Sequence, residues 1–454
     1  MRINHVCFSR CSLFLLVLLG SLTACRKEAP FTGTQPAATD ASAALFLGTA
    51  GDAAVPVSWY QLELKLIKET PGFSPPVAAR AIAYTGISLH GATLGYRRGT
   101  PSLAGQLNGL QYVPLPERGK SYHWGIAANS TLAAIIRQLF PNASADNLRL
   151  ITDLETLYRD SLSVGRPAAE ISRSVSFGQQ VADAVYQWSA TDGGKDGYLH
   201  NFPADYIPPV GPGLWVPTPP AFQSAMLPYW GQNRLIVAGC NTDSGNIAPP
   251  AYATDTNSVF YQAAYVVYQH SQTPTPEKTL IAQYWADGGG TFTPPGHLLA
   301  ITSQLITDQH LDLGTAAKLY AQVGIALNDA GIICWKYKYR YNLLRPITYI
   351  RARIAPGWNS LIGTPPFPSY TSGHASFSAA AGHILTANFG SHFAITDRQK
   401  VPDGFAPRSF SSFTALVNEA AISRVYGGIH YEFDSEIGKV TGTRTGREVL
   451  KIDF

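Results

Sequence analysis

Three polar segments in the last third of the chain carry residues that an ordinary apolar core would not hold. Lys338-Tyr-Arg-Tyr-Asn-Leu-Leu-Arg345-Pro346 sets two cations seven residues apart. In a helix that separation is two turns, so a helix ending at Pro346 presents both to one point, although a solvated basic face has the same spacing. Pro365-Pro-Phe-Pro-Ser-Tyr-Thr-Ser372-Gly373-His374 precedes a helical run from His374 to Phe389. Prolines stop before it, and Ser372-Gly373 falls where a helix start leaves backbone N–H groups unpaired. Such an end suits an anion, with a hydroxyl, a glycine that admits an oxyanion to the backbone and an imidazole at the rim; a plain serine cap fits the same residues. Ser423-Arg424-Val-Tyr-Gly-Gly-Ile-His430-Tyr-Glu-Phe-Asp434 adds a third cation and a second imidazole. The Gly427-Gly428 pair breaks the helix ahead of His430, freeing the ring to face a pocket, and Asp434 reaches back to it if the chain resumes as a helix. Taken singly, His430 also reads as a satisfied core histidine. Together the segments bring Lys338, Arg345 and Arg424 toward one place, and buried cations without an anion are prohibitively costly. Their convergence requires a tetrahedral oxyanion with more than one negative charge, phosphate or vanadate.

In this order and spacing the segments resemble the three-part signature of the phosphatidic acid phosphatase type 2 and vanadium haloperoxidase superfamily. Trp335 and Phe367 sit where the soluble haloperoxidase branch, and the bacterial iodoperoxidases in particular, carry aromatics beside the cofactor. Tyr284-Trp-Ala-Asp287-Gly is similar to a stretch in which an Asp pairs with a cofactor-binding Arg. The resemblance implies vanadate as cofactor, bonded to His430, with Lys338, Arg345, Arg424, the Ser372 hydroxyl and the Gly373 N–H on its equatorial oxygens. It implies that His374 handles the proton of bound peroxide, with flanking cations depressing its pKa, and that Lys338 polarises an oxygen. Asp434 and Asp287 would orient His430 and an Arg. The implied partners are hydrogen peroxide and a halide, iodide first and bromide next, giving hypohalous acid. A secreted acid phosphatase with His430 as phosphohistidine nucleophile is the other activity the signature allows, because a pentacoordinate vanadate resembles the transition state of phosphoryl transfer.

Helices have to carry these groups. Phe177, Val181, Ala184, Val185 and Trp188 share a helical face, as do Leu319, Val323 and Leu327, while two-residue alternation is scarce. Further helices are expected over Pro76 to His90, Ala128 to Leu139, Ala145 to Arg159, Ser258 to Ser271, Gly296 to Thr307, Ala316 to about Leu343, Phe410 to Gly427 and Ser435 to Leu450. The expected class is an all-α helical bundle of the haloperoxidase kind with long Pro/Gly-rich loops, since the chain holds 41 Gly and 32 Pro. Thr191 to Pro220 reads as a long ordered loop, either lining a site or wrapped over the core.

With 45% apolar residues the 454-residue chain can bury a large core, and a net charge of +4 offers no nucleic-acid footprint. Arg2, Arg10, the apolar Leu13 to Leu19 and Leu22-Thr23-Ala24-Cys25 read as a leader over residues 1–24, and Leu-Thr-Ala-Cys resembles the bacterial lipobox. The expected layout is a lipidated Cys25 with a flexible tether to residue 50, then one helical domain over 51–454 with its signature within 335–434. Membrane attachment is expected only through the lipid, in the bacterial cell envelope. Cys240 and Cys334 could pair or remain separate buried thiols.

Overall fold

The computed structural model describes residues 53–241 and 247–454. The expected leader, Cys25 and the tether lie outside them. Among the described residues the chain is built from thirteen α-helices and one short hairpin, which is the expected all-α class. No helix among them is long and apolar enough to cross a membrane.

The amino-terminal helices are α1 (Ala54–Glu69), α2 (Pro75–Ala92), α3 (Trp124–Leu139), α4 (Ala145–Ser163) and α5 (Ala168–Ser189). After a long irregular stretch come α6 (Val259–Gln272), α7 (Pro276–Tyr284), α8 (Thr293–Asp308), α9 (Leu313–Tyr341), α10 (Pro346–Arg353), α11 (Gly373–Phe389), α12 (Phe413–Tyr426) and α13 (Glu432–Val449). Strands β1 (Ile395–Asp397) and β2 (Arg408–Phe410) pair antiparallel between α11 and α12.

Helix α9 is the central rod. The Asp312 carboxylate caps it by accepting from the Thr315 N–H, and it is buried on most sides along its length. It crosses α2 at two glycines: a Cβ on Gly86 would fall 2.8 Å from the Tyr320 carbonyl oxygen, and one on Gly324 2.9 Å from that of Ile82. A second close approach sets the carboxy-terminal half. Gly438, Gly442 and Gly446, one turn apart on α13, lie against the α11 backbone, where added Cβ atoms would meet the Ser372, Ser376 and Ala380 carbonyls within 2.9 Å.

The sequence reading of one long helix ending at Pro346 is corrected. Helix α9 stops at Tyr341, where Asn342 adopts a left-handed φ of 43° and donates its N–H to the Lys338 carbonyl. Asn tolerates that conformation and so terminates helices. Arg345 is extended and opens α10, with Pro346 at its first position. Lys338 and Arg345 therefore converge through a chain reversal, not along one helical face.

Helices α1, α7 and α10 lack the signals that revealed the others. Helix α1 is buried from Val55 to Tyr60 without a break, so it shows no period, while α7 and α10 have nine and eight residues. The Thr191 to Pro220 loop does both things open to it. Trp215 is buried and its backbone N–H donates to the Asn342 carbonyl, strapping the end of α9, while Tyr198 and Phe202 face the cavity described below. Cys240 and Cys334 are both free and buried.

Candidate active site

The signature residues meet where α9 ends and α11 and α13 begin, at the inner end of a cavity of about 910 Å³. Gly373, His374, Arg424 and His430 face that cavity, with Trp335 and Phe367 on its wall. Lys338, Arg345 and Ser372 lie behind them, fully buried.

His430 is placed as its sequence requires. Helix α12 ends at Tyr426, Gly428 turns the chain at φ 78°, and α13 starts at Glu432. Asp434 in the first turn of α13 then accepts from His430 Nδ1 at 2.8 Å and from the Tyr431 N–H at 3.2 Å. The Ser369 hydroxyl donates to the same carboxylate oxygen. Holding Nδ1–H on a carboxylate leaves Nε2 unprotonated, and its lone pair accepts from Arg345 Nη1 at 3.2 Å. Burial, followed by the charges of Arg345, Lys338 and Arg424, keeps the ring neutral by driving its pKa well below the ordinary histidine value.

The cations are held by carbonyls, not carboxylates. Arg345 gives Nε to the Phe367 carbonyl and Nη1 to that of Ile429, each at 2.8 Å, and its guanidinium lies 4.9 Å from the Phe367 ring centroid. Arg424, in the last turn of α12, gives Nη1 to the Trp285 carbonyl at 2.8 Å. Burial lowers the pKa of Arg345 to about 10 and that of Arg424 to about 9. Arg345 Nη2 and Arg424 Nε are buried without a partner, as is His374 Nε2. Buried guanidinium donors left unpaired cost roughly 1–3 kcal/mol each, and an acceptor in this pocket would satisfy both, while the neutral His374 ring keeps a nitrogen that can itself accept.

Lys338 differs from the expectation that it grips an oxygen of the oxyanion. Its ammonium donates to the carbonyls of Pro368, Ser369 and Thr371 at 2.9, 3.0 and 2.6 Å, which uses all three of its protons. It lies 4.8 Å from the Phe367 ring centroid and fixes the loop that leads into α11. Burial pulls its pKa below the ordinary lysine value. The Ser372 hydroxyl caps α11 by accepting from the Ala375 N–H at 3.4 Å, which leaves its own proton to donate. The N–H of Gly373, in the first turn, has no acceptor within the helix. His374 is neutral too: burial, then Arg424, depresses its pKa well below the ordinary value.

Asp287 does not pair with an arginine. Its Oδ2 contacts His297 Nδ1 at 2.9 Å and its Oδ1 pairs with Lys400 at 2.6 Å, and its charge reaches Arg424 through space without an ion pair. The sequence reading missed this group. His297 is clamped between Asp287 and Asp397, each 2.9 Å away. Burial works against its charge, but the two carboxylates outweigh burial and hold its pKa up at about 9. Its ring stacks on Trp285 at 4.9 Å, and the Trp285 carbonyl is the acceptor for Arg424. His297 and Asp287 thus frame the third cation indirectly. Asp397 and Lys400 come from the hairpin region a hundred residues on, so no local spacing could have revealed them.

Fold and site together define a helical-bundle protein whose buried cationic pocket presents unspent donors beside a neutral histidine. Comparisons with known proteins narrow the class. Residues 318–453 match the family profile of the VCPO second helical-bundle domain. The chain is 32% identical to a bacterial vanadium-dependent iodoperoxidase of known crystal structure, with a TM-score of 0.79, covering 87% of this chain and 95% of that one. It is 24% identical to vanadium chloroperoxidase from Curvularia inaequalis, over 86% of this chain and 80% of that protein. A bacterial vanadium-dependent chloroperoxidase in its holo form shares the fold at 15% identity and a TM-score of 0.60, covering 84% of this chain and 93% of that one. The chain belongs to the vanadium haloperoxidase superfamily, as an enzyme of its haloperoxidase family. Its vanadium-dependent relatives imply a vanadate cofactor, and the residues here fit one: an unprotonated imidazole nitrogen, unspent guanidinium donors and a helix-start N–H without an acceptor in its helix.

Proposed function

We propose that the protein is a vanadate-dependent haloperoxidase that uses hydrogen peroxide to oxidise iodide readily, bromide less well and chloride little, releasing hypohalous acid. The observation that carries this reading is the set of buried, unspent donors on Arg345 and Arg424 around a neutral His430 whose other nitrogen is fixed by Asp434. His430 Nε2 would hold vanadium, and Arg345, Arg424, the Ser372 hydroxyl and the Gly373 N–H would hold its oxygens. Bound vanadate supplies Lewis acidity that makes peroxide electrophilic. His374, neutral at the cavity wall, accepts the peroxide proton and returns it. Lys338 holds the floor of the pocket and adds positive charge at close range. Trp335 and Phe367, 5.0 Å apart between ring centroids, make a wall that costs weakly hydrated iodide least.

The same cage would serve a secreted acid phosphatase with His430 as nucleophile. The aromatic wall and the 32% identity to an iodoperoxidase along nearly its whole length favour the peroxidase. The leader motif supports a lipoprotein of the bacterial envelope, anchored through Cys25.

Orthovanadate added to the metal-free protein should produce peroxide-dependent oxidation falling in the order iodide, bromide, chloride, with phosphate present during reconstitution reducing it. Chloride turnover equal to iodide turnover would sink the halide assignment. Hydrolysis of p-nitrophenyl phosphate without vanadate, and no peroxidase with it, would establish the phosphatase.

A further inference from the structure

The chain has two methionines, Met1 and Met226, so Met226 is the sole methionine among the described residues. It faces the cavity in front of the cage. Backbone hydrogen bonds pin it there. Its carbonyl accepts from the Trp335 indole N–H at 3.3 Å and from the Tyr339 hydroxyl, and its N–H donates to the Pro366 carbonyl at 2.9 Å. Those partners include Trp335 itself and the residue before Phe367, so Met226 is tied to the aromatic wall beside the cage. Leu227 then takes a left-handed φ of 51°, which a leucine rarely adopts, and donates its N–H to the Asn201 carbonyl at 2.7 Å. The chain thus accepts an unfavourable turn immediately after Met226. The remaining described sulfurs are shielded: Cys240 and Cys334 are 7% and 0% exposed, and neither faces the cavity. An oxidant leaving the cage therefore meets one sulfur, a soft and polarizable thioether.

We propose that Met226 is a self-modification site, where hypohalous acid released from the cage oxidises the thioether to its sulfoxide and Trp335 beside it is spared. The inference rests on the peroxidase reading, which supplies the oxidant. The sulfur lone pair attacks the halogen, forming the S–X bond, while the O–X bond breaks with its electron pair on oxygen as hydroxide. Hydroxide then bonds to sulfur, the S–X bond breaks with its pair leaving as halide, and the hydroxyl proton passes to water. Sulfur loses two electrons and the halogen gains two. The halide is returned, so the net oxidant is peroxide alone. Methionine sulfoxide is reducible, which allows the same sulfur to be spent again.

The test follows oxygen on the protein. Vanadate-loaded wild type, given iodide and peroxide with excess free methionine, should gain one oxygen atom by intact-mass measurement, assigned to Met226 by peptide mapping. Free methionine consumes hypoiodous acid in solution, so a gain that survives it arises inside the cavity. Vanadate-free protein with iodide and peroxide, or loaded protein without iodide, should gain at least tenfold less. Met226→Leu keeps the backbone bonds and nearly the side-chain volume. Without free methionine it should form triiodide at an initial rate within twofold of wild type, lose activity after at most half as many turnovers, and carry the new oxygen on Trp335. No gain at Met226, or a gain that free methionine abolishes, overturns the site, and this measurement needs no variant. An M226L enzyme that lasts as long as wild type overturns the sparing of Trp335. Failure of triiodide formation in the wild type overturns the peroxidase reading instead, and a limiting amount of reagent hypoiodous acid added to the protein then decides whether Met226 is the first residue oxidised.

Discussion

Arg80 on α2 and Arg424 on α12 are both buried, yet their surroundings are opposites. Arg80 Nε meets the Asp192 carboxylate at 2.7 Å and Nη2 meets the Ser189 carbonyl at 2.8 Å. Asp192 is itself saturated by the Tyr84 hydroxyl and the Gly194 N–H. Arg424 meets one carbonyl, keeps an unpaired Nε, and forms no ion pair with a carboxylate among the described residues. The first arrangement is complete within the protein and serves the fold, tying α2 to the loop after α5. The second is complete only with an anion from outside. An unpaired donor on a buried cation that meets no carboxylate, not burial or charge as such, distinguishes Arg424 from Arg80.

The sharpest test of that distinction lies on the two histidines. His430→Ala should abolish stable vanadate binding, read as vanadium content after gel filtration. His374→Ala should retain vanadium and lose turnover by about 10²- to 10⁴-fold, the usual worth of a general acid–base group. Equal metal loss in both would show that their roles are not divided.

Neutralising each side of the comparison comes next. Asp192→Asn should destabilise the protein by roughly 3–5 kcal/mol, because it strands the Arg80 charge in the interior. Arg424→Met should leave the anion-free protein as stable as wild type or slightly more so, since it removes a desolvated cation. Vanadate should raise the melting temperature of the wild type and not of R424M. If R424M without anion unfolds as readily as D192N, the contrast fails.

The smallest effect belongs to a third kind of buried charge. Glu63 on α1 accepts from the Thr85 hydroxyl at 3.0 Å and faces no cation, and burial raises its pKa to about 8. The folded state therefore keeps a proton that the unfolded state gives up above pH 4.5. Stability should decline as pH rises from there to about 8, by up to a few kcal/mol. Glu63→Gln should flatten that part of the profile in denaturant titrations across pH 5 to 9; an unchanged slope would place the titration elsewhere.

What the chain discloses before folding follows from the range of the interactions involved. Amphipathic helices such as α5 show their faces within a few residues, and the Ser372 cap and the His430–Asp434 contact are local as well. The all-α class was legible for the same reason, as was the grouping of the three signature segments. The path that joins Lys338 to Arg345 was not, because a single left-handed Asn342 reverses the chain where periodicity suggests continuation. Nor could spacing show that the Lys338 protons are spent on carbonyls of the 368–371 loop, or that His297 and Lys400 take both oxygens of Asp287. Those facts depend on contacts between segments tens to a hundred residues apart.

The glycine row on α13 also bears on how such an enzyme can change. Because backbone meets backbone where Gly438, Gly442 and Gly446 touch α11, the spacing of the two helices at those points contains no side chain that could swell or shrink. The cavity wall is drawn from different segments, chiefly the end of α1 and the loops around Tyr198, Gly288 and Pro365. Substitutions there can reshape what enters without disturbing that spacing. Apart from Trp335 and Phe367, which also back the cage, the segments that shape what enters are thus inherited separately from the residues that hold the cations, and a lineage can vary the entrance while the cage stays fixed.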